Sequence, residues 1–112
     1  MTTKENSLAG LGRNAAAAVL VLSSLAGGEK HGYALVKDVE GFAGVHLPPG
    51  TLYQLLSRLE SRGLIVALEA DERRRPYRLT AQGATVLADY ITAQQRILKT
   101  GQARLKRPWS LA

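Results

Sequence analysis

The stretch PGTLYQLLSRLES, residues 49–61, is the clearest structural signal in the chain. Its leucines follow the spacing i, i+3, i+4 and i+7, which places them on one face of an α-helix: Leu52, Leu55, Leu56 and Leu59. Pro49 suits the first helical position, and Gly63 suits the stop. The opposite face contains no acid and carries Gly50, Gln54, Ser57 and Ser61, flanked by Tyr53 and Arg58. The sequence therefore predicts a short amphipathic helix with a polar outward face.

Three further helical patterns surround this segment. An Ala-rich pattern over about 8–26 predicts a mostly buried helix, and a second helix is predicted over about 31–42. The second helix has apolar residues at i, i+4 and i+7: Leu35, Val39 and Phe42. Thr80 suits the N-cap of a long final helix, which ends near residue 107 and whose apolar residues form an imperfect heptad seam. The fold class is therefore mainly α.

A small β-hairpin is predicted between the third and fourth helices. Residues 64–69 and 77–80 contain β-branched and aromatic residues, and the charged stretch 71–76 joins them. Pro76 cannot donate a ladder hydrogen bond, which suggests an edge position. The tip of this hairpin is basic.

Composition limits the chemistry that is open to the chain. It has 112 residues, a formal net charge of +6, a pI near 10.1 and no cysteine, which predicts one small basic domain and excludes disulfides, Cys-ligated zinc and thiol catalysis. The longest apolar run, residues 15–22, is too short to span a membrane. Arg13 before this run superficially resembles a signal peptide, but the helical spacing continues to a glycine stop, and a buried helix is the favoured interpretation.

The sequence contains few residues that could support enzyme catalysis. Its two histidines, His31 and His46, belong to no nucleophile, base or metal-ligand constellation, so neither catalysis nor a cofactor is expected. His31 lies beside Gly32 at a helix start and is interpreted as a capping or packing residue.

Nucleic-acid binding has more support. Arg73, Arg74, Arg75 and Arg78 cluster in the hairpin, where they suit a phosphate backbone. A charged turn is also compatible with simple solvation, because Glu69, Asp71 and Glu72 partly neutralise it. A short helix, an amphipathic helix with a polar face and a basic hairpin together are the parts of a winged helix-turn-helix.

Five motifs occur in order: HGY at 31–33, PGTLY at 49–53, RLE at 58–60, GLI at 63–65 and YRLT at 77–80. Over residues 12 to about 90 this series resembles the PadR family of bacterial transcriptional regulators, in the short form with a single C-terminal helix. The resemblance implies a cytoplasmic homodimer on a pseudo-palindromic operator. It also implies repression, which a small hydrophobic or aromatic effector near the dimer interface relieves.

The resemblance divides the chain and assigns residues. Residues 1–7 are polar and are predicted to be flexible. The resemblance implies a winged helix-turn-helix (8–80) and a dimerisation helix (81–107), which leaves a tail (108–112). Helix 3 would contact base edges and phosphates, the second helix would lie near the backbone, and the wing tip would follow phosphates. The DNA-binding candidates are Tyr33, Lys37, Thr51, Tyr53, Gln54, Ser57, Arg58, Arg73, Arg74 and Arg75. Pro48 departs from the Ser or Thr usual in the family and removes a side-chain N-cap.

Several points stay open from the sequence. The dimer candidates Leu87, Tyr90, Ile91, Ile97 and Leu98 would instead pack only on their own domain if the chain were a monomer. The basic residues after Asp89 would be a solvated end or a second DNA-facing patch, and Trp109 has no assigned role. The alternative function is a winged-helix module that binds another protein. We expect double-stranded DNA as the partner and no membrane.

Overall fold

The computed structural model describes Leu8, Leu11, residues 14–70 and residues 73–107. Within them the element order is α1 (Ala15–Ala26), α2 (Gly32–Ala43), α3 (Pro49–Ser61), β1 (Ile65–Ala67), β2 (Tyr77–Leu79) and α4 (Ala81–Leu105). The predicted fold class, mainly α with a small β-hairpin, is confirmed. The segment 1–7, predicted to be flexible, and the tail 108–112 with Trp109 lie outside the described residues.

The leucine face of α3 is the centre of the core. All four leucines are buried, as their spacing predicts, and they pack with Leu22, Leu35 and Leu64 from neighbouring elements. The α-helix α1 begins at Ala15, later than the predicted start near residue 8, although Leu8 and Leu11 also belong to the core.

One residue of the predicted apolar face of α2 is exposed. Leu35 and Val39 are fully buried, but Phe42 is 52% exposed. Phe42 lies on the last turn of α2, just before Gly44 ends the helix in the left-handed conformation (φ 67°). The apolar face of α2 therefore extends one turn beyond the core.

The hairpin is shorter than predicted and has an additional neighbour. β1 and β2 pair antiparallel, with Val66 opposite Arg78. The ladder ends at the bond from Leu68 N to the Pro76 carbonyl (2.8 Å), since Pro76 has no N–H to return. Tyr77 also exchanges both backbone hydrogen bonds with Lys30, at 2.9 and 3.2 Å. β2 is an edge strand of this two-stranded sheet, and Lys30 covers its outer side at Tyr77 alone. Pro76 lies just before β2, where the ladder ends.

The long helix α4 starts against the hairpin and then leaves the body of the protein. The Thr80 hydroxyl accepts a hydrogen bond from Gly83 N (2.9 Å), which confirms the predicted N-cap. Only Gly83 and Leu87 of α4 are buried. From Ile91 to Arg107 every residue except Gln94 is exposed. Among the described residues, no helix is both long and apolar enough to cross a bilayer.

Candidate nucleic-acid interface

The polar face of α3 lies in solvent. α3 begins at Pro49, and the side chain of Pro48 provides no N-cap hydrogen bond. The Pro48 carbonyl accepts a backbone hydrogen bond from Leu52 N (2.9 Å). The exposed side chains of this face include all the predicted ones: Thr51, Tyr53, Gln54, Ser57 and Arg58. The burial of the leucines on one side therefore leaves a hydrogen-bonding surface on the other.

The start of α2 packs closely against α3. Gly32 is buried, and a Cβ atom on it would lie 2.9 Å from Tyr53 Oη and 3.4 Å from Leu52 Cδ2. The absence of a side chain at Gly32 lets the Tyr53 ring reach the first turn of α2. The interpretation of His31 as a capping residue is confirmed, because its Nδ1 accepts from Ala34 N at 3.4 Å.

Tyr33 and Lys37 form an exposed pair on α2. Tyr33 is 68% exposed, and Lys37 Nζ lies 5.8 Å from the centroid of its ring, within the range of a cation–π contact. Lys37 Nζ also lies 3.9 Å from Glu40 Oε1. A hydrogen bond from His46 Nδ1 to Glu40 Oε2 (2.6 Å) lowers the pKa of the Glu40 carboxyl below its ordinary value of 4.5. Glu40 therefore stays ionised beside Lys37.

The wing brings its arginines back to the start of α2. Arg73 has φ 73°, a left-handed conformation that is uncommon for a residue with a side chain. Arg74 Nη1 lies 3.4 Å from His31 Nε2, across 43 positions of sequence. Arg78 faces Glu29 at 3.9 Å. Arg74 thus contacts the residue that caps α2.

A depression of about 240 Å³, here named the wing cleft, lies between the wing, α2 and α3. The residues that line it are one histidine, one glycine, three tyrosines and three arginines: His31, Gly32, Tyr33, Tyr53, Tyr77, Arg73, Arg74 and Arg75. Burial raises the pKa of the Tyr77 phenol above its ordinary value of 10.0, so this hydroxyl remains a proton donor. Asp71 and Glu72 lie outside the described residues. The described lining contains hydrogen-bond donors and no carboxylate.

The structure distributes the predicted site residues over one surface. All ten DNA-binding candidates are exposed. Five of them line the wing cleft, and Lys37 lies in a neighbouring depression between α2 and α3. The other four lie along α3, from its first turn onward: Thr51, Gln54, Ser57 and Arg58. Sequence reasoning did not place His31 and Tyr77 in this surface, because their contacts with the wing and α2 join distant parts of the chain. Among the described residues, no group of three acidic or histidine side chains could hold a metal ion.

The predicted dimer residues divide into two groups. Leu87 is 6% exposed and packs in the core of its own domain, so little of its surface is free for a partner. Tyr90 is half-buried against that core. Ile91, Ile97 and Leu98 are exposed on the projecting part of α4.

A helix-turn-helix with its polar helix outward, followed by a basic hairpin and a long C-terminal helix, defines the class of winged-helix DNA-binding proteins. Residues 21–89 match the transcriptional regulator PadR-like family. The chain belongs to this family and is a transcriptional regulator with a DNA-binding winged helix, and the predicted resemblance is confirmed.

Individual relatives agree with this assignment. The chain is 38% identical over 90 residues to a transcriptional regulator of Mycobacterium tuberculosis, covering 78% of this chain and 83% of that protein. It is 45% identical over 71 residues to an uncharacterised transposon protein of Streptomyces fradiae, covering 63% of this chain but only 21% of that protein.

Two solved structures show the same fold with recognisable sequence similarity. A PadR family transcription regulator from Clostridium difficile has a TM-score of 0.71 and 29% identity, over 79% of this chain and 96% of that one. A PadR family regulator from Eggerthella lenta has a TM-score of 0.65 and 36% identity, over 83% of both chains.

Proposed function

We propose that this protein acts in the cytoplasm as a homodimeric, sequence-specific repressor on a pseudo-palindromic operator. In this proposal α3 enters the major groove, and the wing follows phosphates or the minor groove. The observation that carries it is the position of Tyr53, which belongs both to the exposed face of α3 and to the arginine-lined wing cleft. One continuous surface thus offers polar groups for bases beside cations for phosphates.

The two parts of this surface suit different contacts. Thr51 and Gln54 lie in the first turns of α3, where side chains of a recognition helix reach base edges, and Ser57 and Arg58 extend the same face. The remaining candidates are cationic or hydroxyl-bearing and suit the backbone: Tyr33, Lys37, Tyr53, Arg73, Arg74 and Arg75.

The homodimer would form through α4. Ile91, Ile97 and Leu98 are large apolar side chains on a helix that leaves the body of its own domain, so a second copy would bury them. Tyr90 would lie at the end of this interface that is closer to the domain core. Leu87 would pack behind the interface, in the core itself. A small hydrophobic or aromatic effector would bind at or near this interface and relieve repression.

The test is a selection of duplex DNA by the purified protein at physiological salt, with the mass of the complexes measured in the same preparation. Enrichment of an inverted repeat bound by two chains is the expected result, with half-sites about one helical turn apart or a multiple of it. Weak binding that disappears at modest salt, without enrichment, would contradict the proposal. It would instead favour the alternative of a winged-helix module for a protein partner.

A further inference from the structure

The contacts of His31 cannot both be ordinary hydrogen bonds. Its Nδ1 faces the Ala34 amide and its Nε2 faces the Arg74 guanidinium, each at 3.4 Å. Both neighbours are donors, whereas a neutral imidazole has one lone pair in the ring plane and one N–H. One of the two contacts therefore sets a donor against a donor.

The lone pair belongs to the Ala34 side of the ring. Ala34 lies in the first turn of α2, where a backbone N–H has no partner within the helix, and His31 provides its cap. Arg74 is exposed, so water can serve its N–H groups. His31 Nε2 consequently carries the proton and points at Arg74 as a second donor.

Two donors 3.4 Å apart are the arrangement that a single oxyanion completes. An oxygen about 2.8–3.0 Å from each nitrogen would accept from both, and a charge-assisted bond of this kind is stronger than a neutral one. The surroundings have the same chemistry, since Arg73, Arg75 and the tyrosines Tyr33, Tyr53 and Tyr77 line the same cleft. The described lining of the wing cleft thus offers several donors to one anionic acceptor.

We propose that His31 and Arg74 together bind one phosphate group in the wing cleft, and that this phosphate belongs to the DNA backbone. This inference rests on the proposed function. It gives His31 a role in addition to its capping of α2. One phosphate held by the wing and by the start of α2 would fix the wing relative to α3 when DNA binds.

The variant His31→Asn separates capping from phosphate binding. Asparagine is among the best N-cap residues, so the unfolding free energy of the protein should change little. The Nε2 donor is lost, and affinity for the selected operator should fall about ten- to a hundredfold, as expected for one hydrogen bond to a charged acceptor. Measured at a pH where histidine is neutral, the salt dependence should keep its slope. Arg74→Ala should lower that slope by about one.

The pairing of the two residues has its own readout. If His31 and Arg74 share one phosphate, the double variant should lose less affinity than the product of the two single losses. Replacing backbone phosphates one at a time with neutral methylphosphonate should reveal one position per half-site that weakens wild-type binding and has little effect on either variant. Independent losses, or no such position, would overturn the proposal.

A separate experiment distinguishes a failure of the proposed DNA-binding function from a failure of the phosphate site. It also distinguishes a DNA phosphate from a free phosphate group. If the wild-type protein selects no DNA, the proposed function fails. Inorganic phosphate is then titrated at constant ionic strength while the NMR signal of the His31 ring is followed. A saturable shift in the wild type that Arg74→Ala abolishes would support a cleft for a free phosphate group. No shift would overturn the phosphate site as well.

Discussion

Gly83 and Leu64 approach so closely that a Cβ atom on Gly83 would overlap the Leu64 carbonyl oxygen. The same atom would lie 2.8 Å from Leu79 Cδ1. Leu64 O accepts the backbone bond from Thr80 N at 3.1 Å, so it cannot move away without loss of that bond. The absence of a side chain at Gly83 therefore lets α4 begin directly against the hairpin.

Gly83→Ala should lower the free energy of unfolding by about 3 kcal/mol, because the added methyl group meets backbone and not a flexible side chain. Urea unfolding of the purified variant measures this. Gly41→Ala is the matched control, since Gly41 is also helical and a Cβ there meets nothing within 4 Å. It should be neutral or stabilising by up to about 1 kcal/mol. Equal effects of the two substitutions would contradict the packing argument.

Local patterns in the sequence were sufficient to predict the helices and strands, but they did not predict all the contacts between them. The leucine spacing of α3 and the N-caps of α2 and α4 are local properties, and each is present as predicted. Phe42 fits the same helical period as Leu35, yet burial there depends on where the neighbouring elements end. The β-bridge between Lys30 and Tyr77 joins residues far apart in sequence, so no local periodicity could predict it.

In the candidate site, too, the local features could be predicted from the sequence and the contacts between distant residues could not. The exposed face of α3 could be predicted because the opposite face has to be buried. The approach of His31 to Arg74 could not, since it depends on the fold of the wing over the start of α2 and on the left-handed backbone at Arg73. The residue types gave the chemistry of the surface, and tertiary structure decided which of them meet.

Gly32→Ala should affect DNA binding more than stability. The added Cβ would meet the hydroxyl end of Tyr53, which can rotate aside, so the unfolding free energy should change by less than about 1 kcal/mol. Tyr53 would then leave the wing cleft, and operator affinity should fall. The measurement pairs urea unfolding with a binding titration on the same preparation. Unchanged affinity would mean that the position of Tyr53 is unimportant for DNA.

Gln54→Ala and Arg74→Ala should differ in what they weaken. Gln54 lies on the recognition face, and its loss should reduce the discrimination between operator and random DNA by about 1–3 kcal/mol. Arg74→Ala should weaken binding to both DNAs and lower the salt slope. Titrations of each variant against both duplexes at several salt concentrations measure this. Equal losses on both DNAs for Gln54→Ala would remove its assigned role.

Ile97→Glu should dissociate the proposed homodimer. Ile97 is 61% exposed on the projecting part of α4, so the substitution leaves the domain core untouched. A charge buried without a partner at the interface should weaken dimerisation more than about tenfold. Gln95→Glu places the same charge on the same exposed helix two residues away and is the control. Sedimentation velocity reports the mass, and a dimer that persists in Ile97→Glu would exclude Ile97 from the interface.

The pair of His46 and Glu40 makes a prediction about pH. The bond from His46 Nδ1 lowers the pKa of the Glu40 carboxyl in the folded protein, so it contributes stability above the ordinary value of 4.5. That contribution is lost as the pH falls through the lower folded value, where the carboxyl takes up a proton. In His46→Ala the pKa of Glu40 should rise toward its ordinary value. The side-chain carboxyl signal of Glu40, followed by NMR through an acid titration of both proteins, measures the difference. Identical titration curves would show that the hydrogen bond does not form in solution.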